Sequence, residues 1–412
     1  MGEFSGPTHG SGGIITTAPP RTAWESRKCI AICVLMAMAF FQFNMDTIFS
    51  NSFQAMPSFL SVFGFADPSL PGGYGIDSTF QSLMTALLQL GLAGGGLIQS
   101  PLSRWFPRRA SFWVGYIFSI IAITIQITTT KHSVVYVGRT FLGIANGLYV
   151  SATILYISEV APANLRGSMV TIYIFLQSCG GIFGAGVIYT FRDWTSKSGY
   201  QIPLGILYII PTFLFVFAYV LLPNLTNNRL FIPESPRWLT TKGKHDSALK
   251  ALKRLRGRAC PEEDILIEMN EIRETTRIEQ ELGHNVSFFD LFRGTDLRRT
   301  ILAILCSSTQ AGSGINLVVG YSTYFYTVAG IANPFAITLV GQAIGVLTTL
   351  LALKLMNIYR RRPMFITGEI LAAIFLIIIA GLTTGKQTTS TGKAMVAFSI
   401  LYTQVSHSLD VV

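Results

Sequence analysis

Of the 412 residues, half are apolar and only 13% are charged, against about 25% in an ordinary soluble domain. Mean hydropathy is +0.48. This much apolar surface exceeds what one protein core buries, which excludes a soluble globular chain and calls for a bilayer. The formal net charge of +10 raises nucleic acid as a partner, but the basic residues are placed for a membrane protein, and no nucleic-acid partner is expected.

The chain opens with a Gly-, Thr- and Pro-containing stretch that lacks an apolar core. Residues 1–28 are therefore expected to form a disordered cytoplasmic tail and not a cleaved signal. Apolar runs then recur near 29–50, 80–100, 110–130, 134–157, 168–190, 203–222, 300–327, 335–353, 364–382 and 394–412. Each approaches the ~20 residues that cross a ~30 Å hydrocarbon core as a helix. The runs do not alternate, so they are helices and not barrel strands. The expected fold class is an all-α polytopic membrane protein of about ten transmembrane helices.

Three regions follow from this spacing: a six-helix bundle over 29–223, a polar cytoplasmic linker over 224–299, and an incomplete second bundle of about four helices over 300–412. In the linker, Asp246 is placed to cap a helix whose apolar residues Ala248, Leu249, Leu252 and Leu255 keep helical spacing. Glu262, Glu263 and Asp264, just after Pro261, suit the N-terminus of a second helix with Ile265, Met269 and Ile272 on one side. Short amphipathic helices beneath the membrane domain are expected.

With the N-terminus cytoplasmic, the basic residues gather in the linker and in the short loops at 104–109 and 354–362, while the opposite loops hold only Lys131, Arg192, Lys197, Lys386 and Lys393. This is the positive-inside distribution. The halves echo each other, with Pro107-Arg108-Arg109-Ala110 after the second helix and Arg360-Arg361-Arg362-Pro363 after the eighth. Five cysteines show no metal spacing and no disulfide framework. No phosphate loop, catalytic triad or cofactor fingerprint appears, so no enzyme, metal or cofactor is expected.

Ionisable residues inside a bilayer are costly and stand out as functional candidates. Asp46 in the first helix and Arg139 in the fourth fall in the same outer third of the membrane by helical rise. Two readings are open. A carboxylate beside a guanidinium keeps its charge and one left alone in an apolar site binds a proton, so the pair can couple proton entry to a conformational change; or the pair statically locks two helices. Gln177, Gln310, Asn316, Tyr321, Tyr324 and Gln342 offer hydrogen bonds to solute hydroxyls, or act as amide and hydroxyl glue between helices. The glycine runs at 94–96 and 180–186 fit close helix crossing and gating alike.

Gly138-Arg139 with Gly143, Tyr156, Glu159, Pro162 and Arg166-Gly167 resembles the fourth-helix signature of the sugar porter family of the major facilitator superfamily. Pro233-Glu234-Ser235-Pro236-Arg237-Trp238-Leu239 resembles that family's motif after helix 6, and Gly314-Ile315-Asn316 its sugar-contacting stretch. The run from Gly320 to Tyr326 is most similar to fungal maltose and other α-glucoside permeases, which are proton symporters. The resemblance implies a major facilitator fold of twelve helices, here truncated at its C-terminal side, that carries a sugar and a proton across a lipid bilayer, expected to be the plasma membrane. It implies Asp46 and Arg139 as the proton-coupling pair. Gln310 and Asn316, with Gln177 and Tyr321, become solute contacts, and Glu159, Arg166, Glu234 and Arg237 a cytoplasmic gating network. The chain departs from the family pattern at Ala311, Ile174, Ile154 and Arg104. Two other readings stand beside the symporter: a truncated non-transporting relative or sensor, and a transporter or exporter of a non-sugar hydroxylated metabolite.

Overall fold

The computed structural model describes residues 26–68, 73–162, 164–216, 233–257, 260–283, 292–329, 331, 333–358, 361–384 and 389–409. The expected tail over 1–25 lies outside them. Five long helices come first: α1 (Arg27–Phe53), α3 (Ser78–Trp105), α4 (Arg108–Thr128), α5 (His132–Val160) and α6 (Arg166–Phe191). Between α1 and α3 lie a short helix α2 (Pro57–Phe63) and a two-stranded hairpin, β1 (Phe65–Ala66) with β2 (Tyr74–Gly75), none of them expected from the sequence. Asp77 then caps α3, its carboxylate accepting from the Phe80 N–H at 3.1 Å. At 29 residues α5 is about 43 Å long, more than the ~30 Å core needs, so its last turns emerge from the membrane carrying Tyr156 and Glu159.

The sixth span is divided into α7 (Ser198–Ile206) and α8 (Ile209–Phe215). Pro211 has no N–H to bond the Leu207 carbonyl, and Leu207 and Tyr208 turn on tighter bonds to Leu204 and Gly205. Three linker helices follow, α9 (Pro236–Thr241), α10 (His245–Arg256) and α11 (Glu262–Gly283). Lys244 takes the cap position of α10, so Asp246 sits two residues further on, in the first turn, where its charge still favours the helix N-terminus. Trp238, Leu239, Leu252, Ile265 and Met269 form a small core among these helices. Arg256 ties them to the membrane bundle, donating to the Val160 carbonyl at 3.2 Å at the end of α5 and to Glu268.

The remaining helices are α12 (Gly294–Gly312), α13 (Ile315–Gly320), α14 (Ser322–Val328), α15 (Pro334–Ile358), α16 (Arg361–Thr384) and α17 (Thr389–Leu409). The run expected as one helix over 300–327 is thus broken into three. Gly314 sits at φ +82°, a left-handed conformation that ends α12, and the Tyr402 hydroxyl of α17 donates to the Ser313 carbonyl at 2.7 Å beside the break. Among the described residues eight helices or helix pairs are long and apolar enough to cross a membrane; the α12–α14 stretch and the Ser-, Thr- and Gln-bearing α17 are helical without meeting that measure. Large apolar side chains face outward all round, with Leu97 77% and Ile377 71% exposed, a surface only lipid satisfies.

Within the first bundle, α3 and α5 run parallel with their backbones in contact. Gly91 and Gly95 of α3 meet Gly143 and Gly147 of α5, two four-residue spacings of small residues that let helices close up. A Cβ on Gly147 would lie 2.2 Å from the Leu92 carbonyl oxygen, and one on Gly95 2.3 Å from that of Ile144. Gly94, one residue away, has nothing within 4 Å. Gly147→Ala is therefore expected to force the helices apart and cost about 1–3 kcal/mol, read as a lower Tm of the purified chain in detergent. Gly94→Ala should leave Tm unchanged.

Candidate functional site

The structure brings Asp46 and Arg139 together in the membrane interior, between α1 and α5. Asp46 is fully buried and Arg139 2% exposed. Arg139 Nη1 lies 3.6 Å from Asp46 Oδ1, close enough for attraction but beyond a hydrogen bond. Arg139 donates instead to the Ser50 hydroxyl, and Asp46 Oδ2 accepts from Asn146 Nδ2 at 3.0 Å. Asp46 Oδ1 has no hydrogen-bond partner among the described residues. The ion pair is held by its surroundings more than by its own contact.

Neither Ser50 nor Asn146 stands out in the sequence by charge or motif. The signal was available in the spacing: Gln42, Asp46 and Ser50 are four residues apart on α1, and Asn146 is two turns beyond Arg139 on α5, so each set shares a helix face. Gln42 is fully buried, and neither of its amide atoms has a partner among the described residues.

Of the expected solute contacts, Gln177 of α6 borders a cavity of about 20 Å³ with Asn44 of α1 and Ser178 of α6, faced across the seam by Gln342, Gly345 and Thr349 of α15. That volume admits one water. Asn44 Nδ2 donates to the Gln177 carbonyl at 2.8 Å, and the Ser178 and Thr349 hydroxyls are 3.0 Å apart. Asn316 lies exposed on α13 and Tyr321 half-buried at the start of α14, so neither joins Gln177. The Gln310 side chain lies outside the described residues.

At the α4/α5 end of the bundle, Arg108 forms a two-pronged pair with Glu159, Nη2 to Oε1 at 2.7 Å and Nε to Oε2 at 3.1 Å. Its backbone N–H donates to Glu234 Oε1 at 2.9 Å, and Arg109 lies 3.7 Å from Glu234 Oε2. Burial pushes the Glu234 carboxyl up from the usual range, opposed by Arg109 and by the backbone N–H groups of Ser235 and Arg108. The Tyr156 hydroxyl donates to the Pro233 carbonyl at 2.8 Å. Glu159 and Glu234 are thus joined through Arg108 and Arg109, which the sequence marked only as a basic cluster. Arg237 is not part of this junction and pairs with Glu279 of α11. Arg166 opens α6, and its side chain lies outside the described residues.

The helical fold has known counterparts among solved structures. The chain superposes with a TM-score of 0.70 on the proton:xylose symporter XylE of E. coli, at 19% identity over 95% of this chain and 82% of that one. Among curated proteins it is 28% identical to the major facilitator-type transporter ecdD of Aspergillus rugulosus over 95% of this chain and 72% of the relative. It is 27% identical to the maltose permease MAL31 of Saccharomyces cerevisiae, over 89% of this chain and 58% of the relative. The chain thus spans between about half and three-quarters of the length of such relatives. The family described as "Sugar (and other) transporter" matches residues 32–406. With the major facilitator fold and nearly the whole length matched, this multi-pass membrane chain belongs to the sugar (and other) transporter family, which is not a family of enzymes.

Proposed function

We propose that this chain is a proton-coupled symporter of a neutral sugar, of the maltose and α-glucoside class, working by alternating access of its two bundles. The observation that carries the reading is the Asp46–Arg139 pair, fully buried yet 3.6 Å apart and not hydrogen-bonded to itself. A static lock gains most from a two-pronged hydrogen-bonded geometry, which Arg108 and Glu159 have and Asp46 and Arg139 do not. MAL31 is a maltose permease and XylE a proton:xylose symporter, which supports both the solute class and the coupling.

In this reading Asp46 is charged while Arg139 is beside it. A shift of α1 against α5 removes the counter-charge, and a carboxylate left in an apolar site takes up a proton. The neutral acid then moves through the membrane interior without the cost of a bare charge. Gln177 contacts the solute from the first bundle, and Gln310, Asn316 and Tyr321 contact it from the α12–α14 stretch once the bundles rearrange. The Glu159–Arg108 and Glu234–Arg109 pairs hold the cytoplasmic gate, with Arg166 at the start of α6 as a further member, while Arg237 pairs with Glu279 of α11. The basic loops support a cytoplasmic N-terminus, and the plasma membrane is the compartment in which an uptake symporter would work.

Maltose uptake into proteoliposomes is expected to fall to background when the proton gradient is dissipated and in Asp46→Asn; uptake indifferent to both changes rules out the coupling. Because Asp46→Asn leaves Arg139 buried and unpaired, it should also cost about 3–5 kcal/mol, and the double variant Asp46→Asn, Arg139→Gln should recover Tm without recovering coupling. Arg108→Lys removes the fork that grips Glu159 and is expected to cost about 2 kcal/mol, lowering Tm and slowing net uptake more than solute exchange.

A further inference from the structure

The α6 face that meets α1 and α15 carries Gly180, Gly181 and Gly184. A Cβ on Gly180 would lie 2.2 Å from the Phe41 carbonyl oxygen, so that glycine serves the backbone contact with α1. Gly181 is different. The three atoms nearest a Cβ there all belong to side-chain amides, with Gln342 Oε1 at 2.3 Å and Asn44 Nδ2 at 2.7 Å. The two amides come from opposite bundles and converge on one point above the α6 backbone. Asn44 is oriented by its bond to the Gln177 carbonyl, the acceptor that the Gly181 N–H faces in an α-helix. Asp46, two residues further along α1, points to α5 instead.

We propose that this amide junction over Gly181 is the solute-selectivity site, in which Asn44 and Gln342 read the hydroxyl pattern of a neutral polyol and the missing Cβ provides the space where they meet it. The inference rests on the transport reading above. A primary amide both donates and accepts, as a hydroxyl does. The cavity lining offers no formal charge to an ionic solute. A solute that leaves a buried amide unpaired pays for that loss, which is how polar sites discriminate. In the conformation seen the cavity admits only a water, so solute enters as α15 parts from α6 and the Ser178–Thr349 contact breaks. Selection then takes place on the moving seam itself.

The test uses the full chain in proteoliposomes, with maltose, glucose and xylose as probes, comparing wild type with Gly181→Ala, Gln342→Leu and the control Gly94→Ala. The maltose-to-glucose ratio of kcat/KM is expected to shift roughly tenfold or more in the first two variants, and to stay at the wild-type value in Gly94→Ala. Where flux is low, the Tm increase given by each sugar on the solubilised variant supplies the same ranking. Rankings unchanged in both Gly181→Ala and Gln342→Leu overturn the inference while leaving the transport reading in place. A wild-type chain that neither moves nor is stabilised by any of the three sugars overturns the transport reading, and this inference with it.

Discussion

A carboxylate and a guanidinium buried in the apolar interior of a membrane bundle constrain this structure more than any other pair of residues. Each charge alone costs about 2.5–3.5 kcal/mol at the centre of a membrane helix, so Asp46 and Arg139 must face each other, and α1 must lie against α5. The rest of the first bundle is arranged around that requirement. Ser50 and Asn146 supply the hydrogen bonds that the ions do not give each other. Glycines at 91, 95, 143 and 147 bring α3 onto a neighbouring face of α5, and Gly180 does the same for α6 against α1. Lipid gives no hydrophobic drive between helices, so this closeness of backbone, together with polar contacts, holds the bundle.

On the proposed reading three kinds of chemistry share α1 and its neighbours. The proton acts at Asp46 on the face toward α5. The solute is read two residues earlier, at Asn44 on the face toward α6. The charged gate closes the far end, where α4, α5 and the segment before α9 meet in the Arg108–Glu159 and Arg109–Glu234 pairs. A rotation or tilt of one helix is then felt at both the proton site and the solute site, which is the physical content of coupling. The Ser178–Thr349 contact and the Gln342 amide carry the same movement into the second bundle.

The residues that were legible in the sequence are those whose chemistry is out of place. Asp46 and Arg139 stood out as charges in apolar runs, and helical rise put them at one depth. The seven-residue run Pro233–Leu239 marked the junction beneath the bundle. What the sequence hid depends on packing. Gly314 and Pro211 break helices whose apolar runs look continuous, because a break shows only in backbone dihedrals and missing N–H groups. Arg108 and Arg109 read as orienting charges, yet they are the partners of Glu159 and Glu234; Arg237, which motif position placed in that network, reaches α11 instead. Asp246 fell two residues past the cap of its helix, an ambiguity of helix boundaries. Asn44 gave no signal, since nothing local tells an amide facing lipid from one facing Gly181.

The most direct test of the central claim is to follow external pH with an electrode as maltose is added to a suspension of lightly buffered, de-energised proteoliposomes containing the full chain. The account predicts alkalinisation of the medium that begins with sugar entry and is absent in Asp46→Asn. Sugar entry with no movement of protons would contradict it, and would leave the Asp46–Arg139 pair as a lock between α1 and α5.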